Sequence, residues 1–289
     1  MLKFIASNIS YLLWFLLYFV IAWLIVSAIT ATLTAFLIVL GVYAVSIIVA
    51  LSPIGEAILR LSENCRRPKT EQEQTYLIPI FEEVYDSAKM VNRHLNSGIQ
   101  LYIMDAMYVN AFAIGRKTVA VTRGAMETFT AEELKGVLGH ELGHMTYGHT
   151  KALLLSVIGN TFFNLILLAL RLILTIFEGI TVLASRNVVG LVFRLFAFIT
   201  RMFFEAYTFI FVNLGEIILA INSRKNEMQA DKFAFKIGYG REQISALYLL
   251  QKMTINKKVP LADRLKASHP YLSDRIARLE ELENRMMPV

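Results

Sequence analysis

Gly136–His149 reads GVLGHELGHMTYGH and places His140, Glu141 and His144 in the spacing His-Glu-x-x-His. On a helix, residues four apart lie about 40° apart in projection, so the two imidazoles converge on one point that suits a zinc ion. Glu141 adjoins the first of them without facing that point, where a carboxylate can take a proton from a metal-activated water. Ahead of the motif, Thr130 as N-cap and Glu133 three residues on form a capping box, and Leu134, Val137 and Leu138 supply an apolar face. The competing reading is a chance pattern on an ordinary helix with two unrelated histidines.

The chain has 289 residues, of which 56% are hydrophobic and 18% charged, too apolar for an ordinary soluble domain. No charged side chain occurs from Phe4 to Gly55. A bilayer core takes about 20 residues per helical crossing, so this run predicts two crossings joined within Ser27–Thr34. A cleaved signal peptide would have a shorter apolar core and no second span directly behind it. No Lys or Arg lies between the two spans, whereas Arg60, Arg66, Arg67 and Lys69 follow them, so the N-terminus and the segment after Leu51 are expected in the cytoplasm. The net charge of +6 comes without an aromatic-interleaved basic stripe, which favours anionic lipid headgroups over nucleic acid. The single Cys65 cannot form an intramolecular disulfide, in keeping with a reducing compartment.

Arg66–Gln74 reads as a polar linker, after which Leu77, Ile80, Phe81, Val84, Tyr85, Ala88 and Val91 recur at helical spacing, with Pro79 as a bend or a start. His94 is expected as a cation at that helix's C-terminus. Ile99–Met104, Tyr108–Ile114 and Thr118–Thr122 predict a small sheet. An exposed edge strand could pair with an extended peptide beside the metal. Asn110, Ala111, Phe112 and Ala113 are the candidate edge, and ordinary sheet residues are an equal alternative. Ala152–Leu170 predicts a third span. Val188–Thr200 is too short for a crossing, whereas Met202–Asn222 is long enough but contains Glu205 and Glu216. Arg194, Arg201, Glu205 and Glu216 share a stripe roughly 60° wide, suited to a helix partner or a wet cavity. Glu227 and Asp231 stand four apart. Glu227 could complete a His, His, Glu set with one open position, and Asp231 could hold a ligand histidine by its second nitrogen. Spacing alone favours a solvated acidic pair.

GHELGH is followed by SRKNEMQAD at 223–231 and SHPYLSDR at 268–275, and preceded by VNAFAIG at 109–115. Four motifs in this order, across the whole layout, resemble the HtpX branch of membrane zinc metalloproteases, relatives of the CAAX prenyl proteases. The resemblance implies a zincin fold with Glu227 as third zinc ligand and Glu141 as general base. It also implies cytoplasmic quality control of membrane proteins by endoproteolysis. His269 matches a family histidine near the zinc that stabilises the tetrahedral intermediate or caps the metal, and Arg275 matches the arginine six positions on. Asn110–Ala113 match the family's strand, which is similar to the substrate-binding edge of other zincins. A single proline follows His269 where many relatives have two, and the last spans carry more arginine than the family leads one to expect.

The expectation is therefore an α-helical membrane protein with an α+β zincin-type metalloprotease domain and about four transmembrane helices. Residues 1–55 and 152–222 would each supply two spans. Residues 56–151 and 223–289 would form the two parts of a cytoplasmic catalytic domain of a multi-pass cell-membrane protein, with both termini in the cytoplasm. One Zn2+ per chain would be held by His140, His144 and Glu227, with Asp231 behind them. Glu141, His269 and Arg275 would carry the chemistry. Polypeptides, chiefly membrane proteins, and the bilayer would be the partners. Tyr147 and Thr150 stand where a metzincin needs glycine and histidine, and Glu132, Glu133 and Lys135 argue against an intramembrane metal helix. His149, about 140° from His144 on one helix, is expected to be structural. A CAAX-type prenyl-protein endopeptidase, or a scaffold with structural zinc, remains as an alternative; Glu141 speaks against the scaffold.

Overall fold

The structure, a computed structural model, describes residues 9–27, 30–159, 161–184, 188–254 and 272–286. Helices α1 (Ile9–Ser27) and α2 (Thr32–Leu51) form a hairpin, α1 ending and α2 beginning within the expected stretch. Trp14, Tyr18 and Ala22 of α1 pack on Val39 and Tyr43 of α2. The Tyr43 ring meets Phe15 and Phe19 edge-on at 5.1 and 5.3 Å, a favoured aromatic geometry. Among the described residues α2 is the helix long and apolar enough to cross a membrane by length and composition, and the apolar part of α1, Leu12–Ser27, is shorter.

Ser52 stops α2 and caps α3 (Pro53–Ser62), where its hydroxyl accepts the Ile54 N–H at 3.1 Å. The sheet holds β1 (Cys65–Arg66), β2 (Gln100–Met104), β3 (Ala111–Ile114) and β4 (Thr118–Thr122) in the order β1-β2-β4-β3. β2 and β4 run parallel, and β3 is antiparallel to β4 at one edge. The strand expected from Tyr108 begins only at Ala111. Asn110 is instead fixed by Thr122, whose side-chain oxygen accepts the Asn110 N–H at 3.0 Å.

Glu56 of α3 is buried and reaches across to the turn between β3 and β4. It accepts the N–H groups of Arg116 and Lys117 at 3.0 Å each and the Thr118 hydroxyl at 2.6 Å. A side chain at Gly115 would collide with it, since a Cβ there would lie 2.7 Å from Glu56 Oε2. Thr150 donates to the Gly115 carbonyl from the other side at 2.6 Å.

A π-turn at Glu73–Leu77 leads into α4 (Ile78–Val91), with Pro79 in its first turn. His94 lies beyond the end of that helix, its N–H bonded to Asn92 Oδ1 at 3.1 Å. After α5 (Arg123–Thr128) comes α6 (Ala131–Tyr147), opened by the expected Thr130–Glu133 capping box. Leu134, Leu138 and Leu142 of α6 are buried among Val84, Ile103, Val121 and Phe233.

Two further helices run beyond the expected limits. Within the run Ala152–Leu170 lie α7 (His149–Gly159) and the start of α8 (Thr161–Ala184). α8 continues through Arg171 and Glu178 because both are paired: Arg171 Nη2 lies 2.6 Å from Glu205, and Glu178 binds Arg201. Val188–Thr200 and Met202–Asn222 are not separate segments but parts of one helix of 49 residues, α9 (Val188–Lys236), which continues through 223 into the catalytic part. α8 and the first half of α9 expose large apolar side chains, with Leu183 82% and Phe203 66% exposed. Such surfaces suit lipid better than water. α10 (Gly240–Thr254) and α11 (Leu272–Met286) complete the described chain.

Candidate active site

Two helices bring the site together, and glycines let them do so. A Cβ at Gly143 would lie 2.8 Å from Ala230 Cα of α9, and one at Gly136 would lie 2.3 Å from the Gln243 backbone nitrogen of α10. Only hydrogen fits at these two positions. The close approach of α6 and α9 sets Glu227 over the imidazoles of His140 and His144.

The three groups form a triangle. His140 Nε2 lies 3.1 Å from His144 Nε2, Glu227 Oε1 lies 3.2 Å from His144 Nε2, and Glu227 Oε2 lies 3.4 Å from His140 Nε2. A tetrahedral site with bonds of about 2.0–2.1 Å has edges of about 3.3 Å. The residues therefore fit a small divalent cation by both spacing and donor chemistry. Glu141 is close by, since His140, Glu141 and His144 offer ligand atoms within 4.8 Å of one another.

Further residues orient the ligands. His140 Nδ1 donates to Asp231 Oδ1 at 2.8 Å, which directs Nε2 at the triangle. Asp231 also accepts from Arg275 Nη2 at 2.6 Å, from Arg275 Nε at 2.9 Å and from Gln243 Nε2 at 3.2 Å. His144 uses its other nitrogen too: Nδ1 lies 3.0 Å from His149 Nδ1, and His149 Nε2 lies 3.1 Å from Gln229 Oε1. With His144 Nε2 kept as an acceptor, protons on His144 Nδ1 and His149 Nε2 satisfy every contact in this row.

Electrostatics agree with a cation site. Burial opposes a charge on His140, but Asp231 and Glu227 together outweigh it and lift the imidazole to about 10. The field that favours a proton there favours a metal ion at the same lone pair. Burial would raise the Asp231 carboxyl, yet His140 and then Arg275 hold it well below the usual carboxylate range. His149 is pushed down to about 3, chiefly by burial and then by His144, so it is neutral.

Arg275 is buried and bonded to carboxylates: besides Asp231, its Nη1 lies 3.1 Å from Glu227 Oε2. It also lines the cavity that His140 and Glu141 share. His269 lies outside the described residues. Asn110, Ala111, Phe112 and Ala113 line a cavity of about 550 Å³ together with His140 and Glu141. The edge strand and the ligand set thus share one space.

His149, Gln229 and Gln243 are the contacts that spacing alone did not reveal. Gly148 was the available signal. Its φ of 77° ends α6 in the left-handed region and turns His149 back onto His144.

Residues 71–283 match peptidase family M48. Protease HtpX of Alkalilimnicola ehrlichii is 29% identical over 237 residues, covering 74% of this chain and 72% of that protein. Protease HtpX of Shewanella frigidimarina is 30% identical over 205 residues, covering 64% and 69%. The crystal structure of S. mikatae Ste24p is similar with a TM-score of 0.53 at 20% identity, over 95% of this chain but 63% of that one. That likeness concerns the fold.

Proposed function

The chain belongs to peptidase family M48 and is a metalloprotease, and from that premise we propose that it is a zinc endopeptidase cleaving cytoplasmic segments of misfolded or damaged membrane proteins. The triangle of His140, His144 and Glu227 beside the Glu141 carboxylate carries this reading.

His140, His144 and Glu227 would hold the ion. A zinc ion there supplies Lewis acidity towards the scissile carbonyl and acidifies water, to a pKa of about 7. An extended substrate segment pairs with β3, the edge strand among the described residues, and lies across the cavity that Glu141 lines. The Glu141 carboxylate takes a proton from the attacking water and delivers it to the leaving amine nitrogen. Asp231 and His149 keep the two imidazoles in the tautomers that leave Nε2 free to bind. His269, on the family resemblance, serves the oxyanion.

Four crossings are proposed: α1, α2, α8 and the first part of α9. The last two are returned antiparallel by the Arg171–Glu205 and Glu178–Arg201 pairs. An even number of crossings between His144 and Glu227 would keep both on one side, and the basic segment after α2 supports the cytoplasmic side.

The test is Glu141→Gln in detergent-purified full-length protein. Zinc content should be unchanged and cleavage of an unfolded membrane-protein segment should fall by at least a hundredfold. Cleavage at the wild-type rate would overturn the assignment.

A further inference from the structure

Behind the ligand set, α9 and α11 enclose a second cavity, of about 260 Å³, with Arg224, Lys232, Arg275, Arg278 and Arg285 in its wall. We propose that this cavity binds the phosphate group of an anionic lipid headgroup. The proposal rests on the membrane reading of α9 given above.

Charge is the first support. The five cations face only two carboxylates in the same wall, Asp231 and Glu281. Arg275 is committed to Asp231 and Glu227, and Arg285 Nη2 lies 2.5 Å from Glu281. Arg224, Lys232 and Arg278 remain without an acidic partner among the described residues. Cations gathered around one cavity repel one another, and a phosphate relieves that repulsion while accepting from several N–H donors at once.

Shape is the second. Met228, Leu279 and Leu282 give the cavity an apolar side beside its basic rim. A free inorganic ion has no use for that surface. A phosphodiester continuing into a glycerol ester does.

Position is the third. Arg224 is the first charged residue of α9 after Glu216, and α9 is unbroken between them. The cavity therefore begins just beyond Asn222, where the proposed crossing by α9 ends. For a membrane helix this is the headgroup level, where basic pockets take up anionic lipids.

The experiment is native mass spectrometry of the detergent-purified full-length protein, offered phosphatidylglycerol or phosphatidylcholine with the same acyl chains. Wild type should retain phosphatidylglycerol preferentially. In Arg224→Gln/Arg278→Gln that retention should fall at least tenfold, with phosphatidylcholine retention, zinc content and the unfolding midpoint unchanged. Both side chains are exposed and neither touches the ligand triangle. A Lys232→Gln variant, expected to show a smaller loss, provides a second reading at an exposed position. Equal phosphatidylglycerol retention by wild type and variants overturns the proposal. Displacement of the lipid by millimolar inorganic phosphate, with no preference between the two lipids, would identify a soluble phosphate site and overturn it as well. Because the readout is lipid retention, its failure is distinct from a failure of the protease reading.

Discussion

His144 Nδ1 lies 3.0 Å from His149 Nδ1, although the two residues belong to different helices. The left-handed turn at Gly148 makes the contact, and Gln229 holds the far side of the His149 ring. Removing His149 frees the His144 ring to rotate and to exchange tautomers. His149→Leu should weaken zinc binding by about 10–100-fold. Competitive titration with a chelator measures this, and wild-type affinity would mean that the His144 ring is held by other contacts.

Asp231 bonds both His140 and the buried Arg275 guanidinium. Asp231→Asn would leave Arg275 with Glu227 as its remaining carboxylate and His140 with a weaker acceptor. The expected loss of stability is about 3–5 kcal/mol, as for other broken buried pairs. Metal affinity should drop with it. A thermal unfolding midpoint equal to wild type would show that the Arg275–Asp231 pair adds nothing to the fold.

Much of the site was legible because its signals are local. His-Glu-x-x-His and the Thr130–Glu133 box each act within one or two helical turns. The edge position of Asn110–Ala113 was not settled by spacing, because edge or centre depends on strand order, which here runs β1-β2-β4-β3. The reading of 188–222 as two segments went astray for a related reason. Arg201 and Glu205 have their partners on α8, and pairing allows the helix to continue. Glu56 was equally hidden, since it caps backbone N–H groups some sixty residues further along. His149 was expected to be structural from its angle on a continuous helix, and its contact with His144 was hidden because it depends on the left-handed turn at Gly148.

Gly143 tests whether helix spacing sets the ligand geometry. A Cβ there would meet Ala230 at 2.8 Å, so Gly143→Val has to push α9 away from α6. Overpacking of this kind costs about 1–3 kcal/mol. The larger effect should be on metal, because α9 carries Glu227. Zinc content well below wild type with helical circular dichroism retained is expected; full zinc occupancy would show that the contact relaxes without moving the ligand.

A second charge cluster, remote from the metal, should govern acid stability. Buried Glu73 accepts from Arg66 Nη1 at 2.9 Å and Nη2 at 2.7 Å, and Arg123 Nη2 lies 3.1 Å away. The Arg66 bonds hold Glu73 well below the usual carboxylate range, and Arg66 followed by Arg123 lowers Asp105 to about 2. Depressed carboxyls stabilise the fold above their unfolded values, near pH 4, and that contribution disappears as pH falls towards and below 2. Glu73→Gln should cost about 3 kcal/mol at neutral pH and flatten the dependence between pH 4 and 2. Unfolding midpoints across that range measure both, and a slope identical to wild type would assign acid sensitivity to other groups.

The unbroken course of α9 has a consequence for how the sequence can change. One residue inserted between Glu205 and Glu227 would turn one end of the helix against the other by about 100° and lengthen it by about 1.5 Å. Glu205 could then stay with Arg171, or Glu227 with His144, but not both. The apolar residues between them are free to exchange for one another, while their number is fixed. The helix behaves as a keyed shaft, tolerant of substitution along its length and intolerant of a single insertion or deletion.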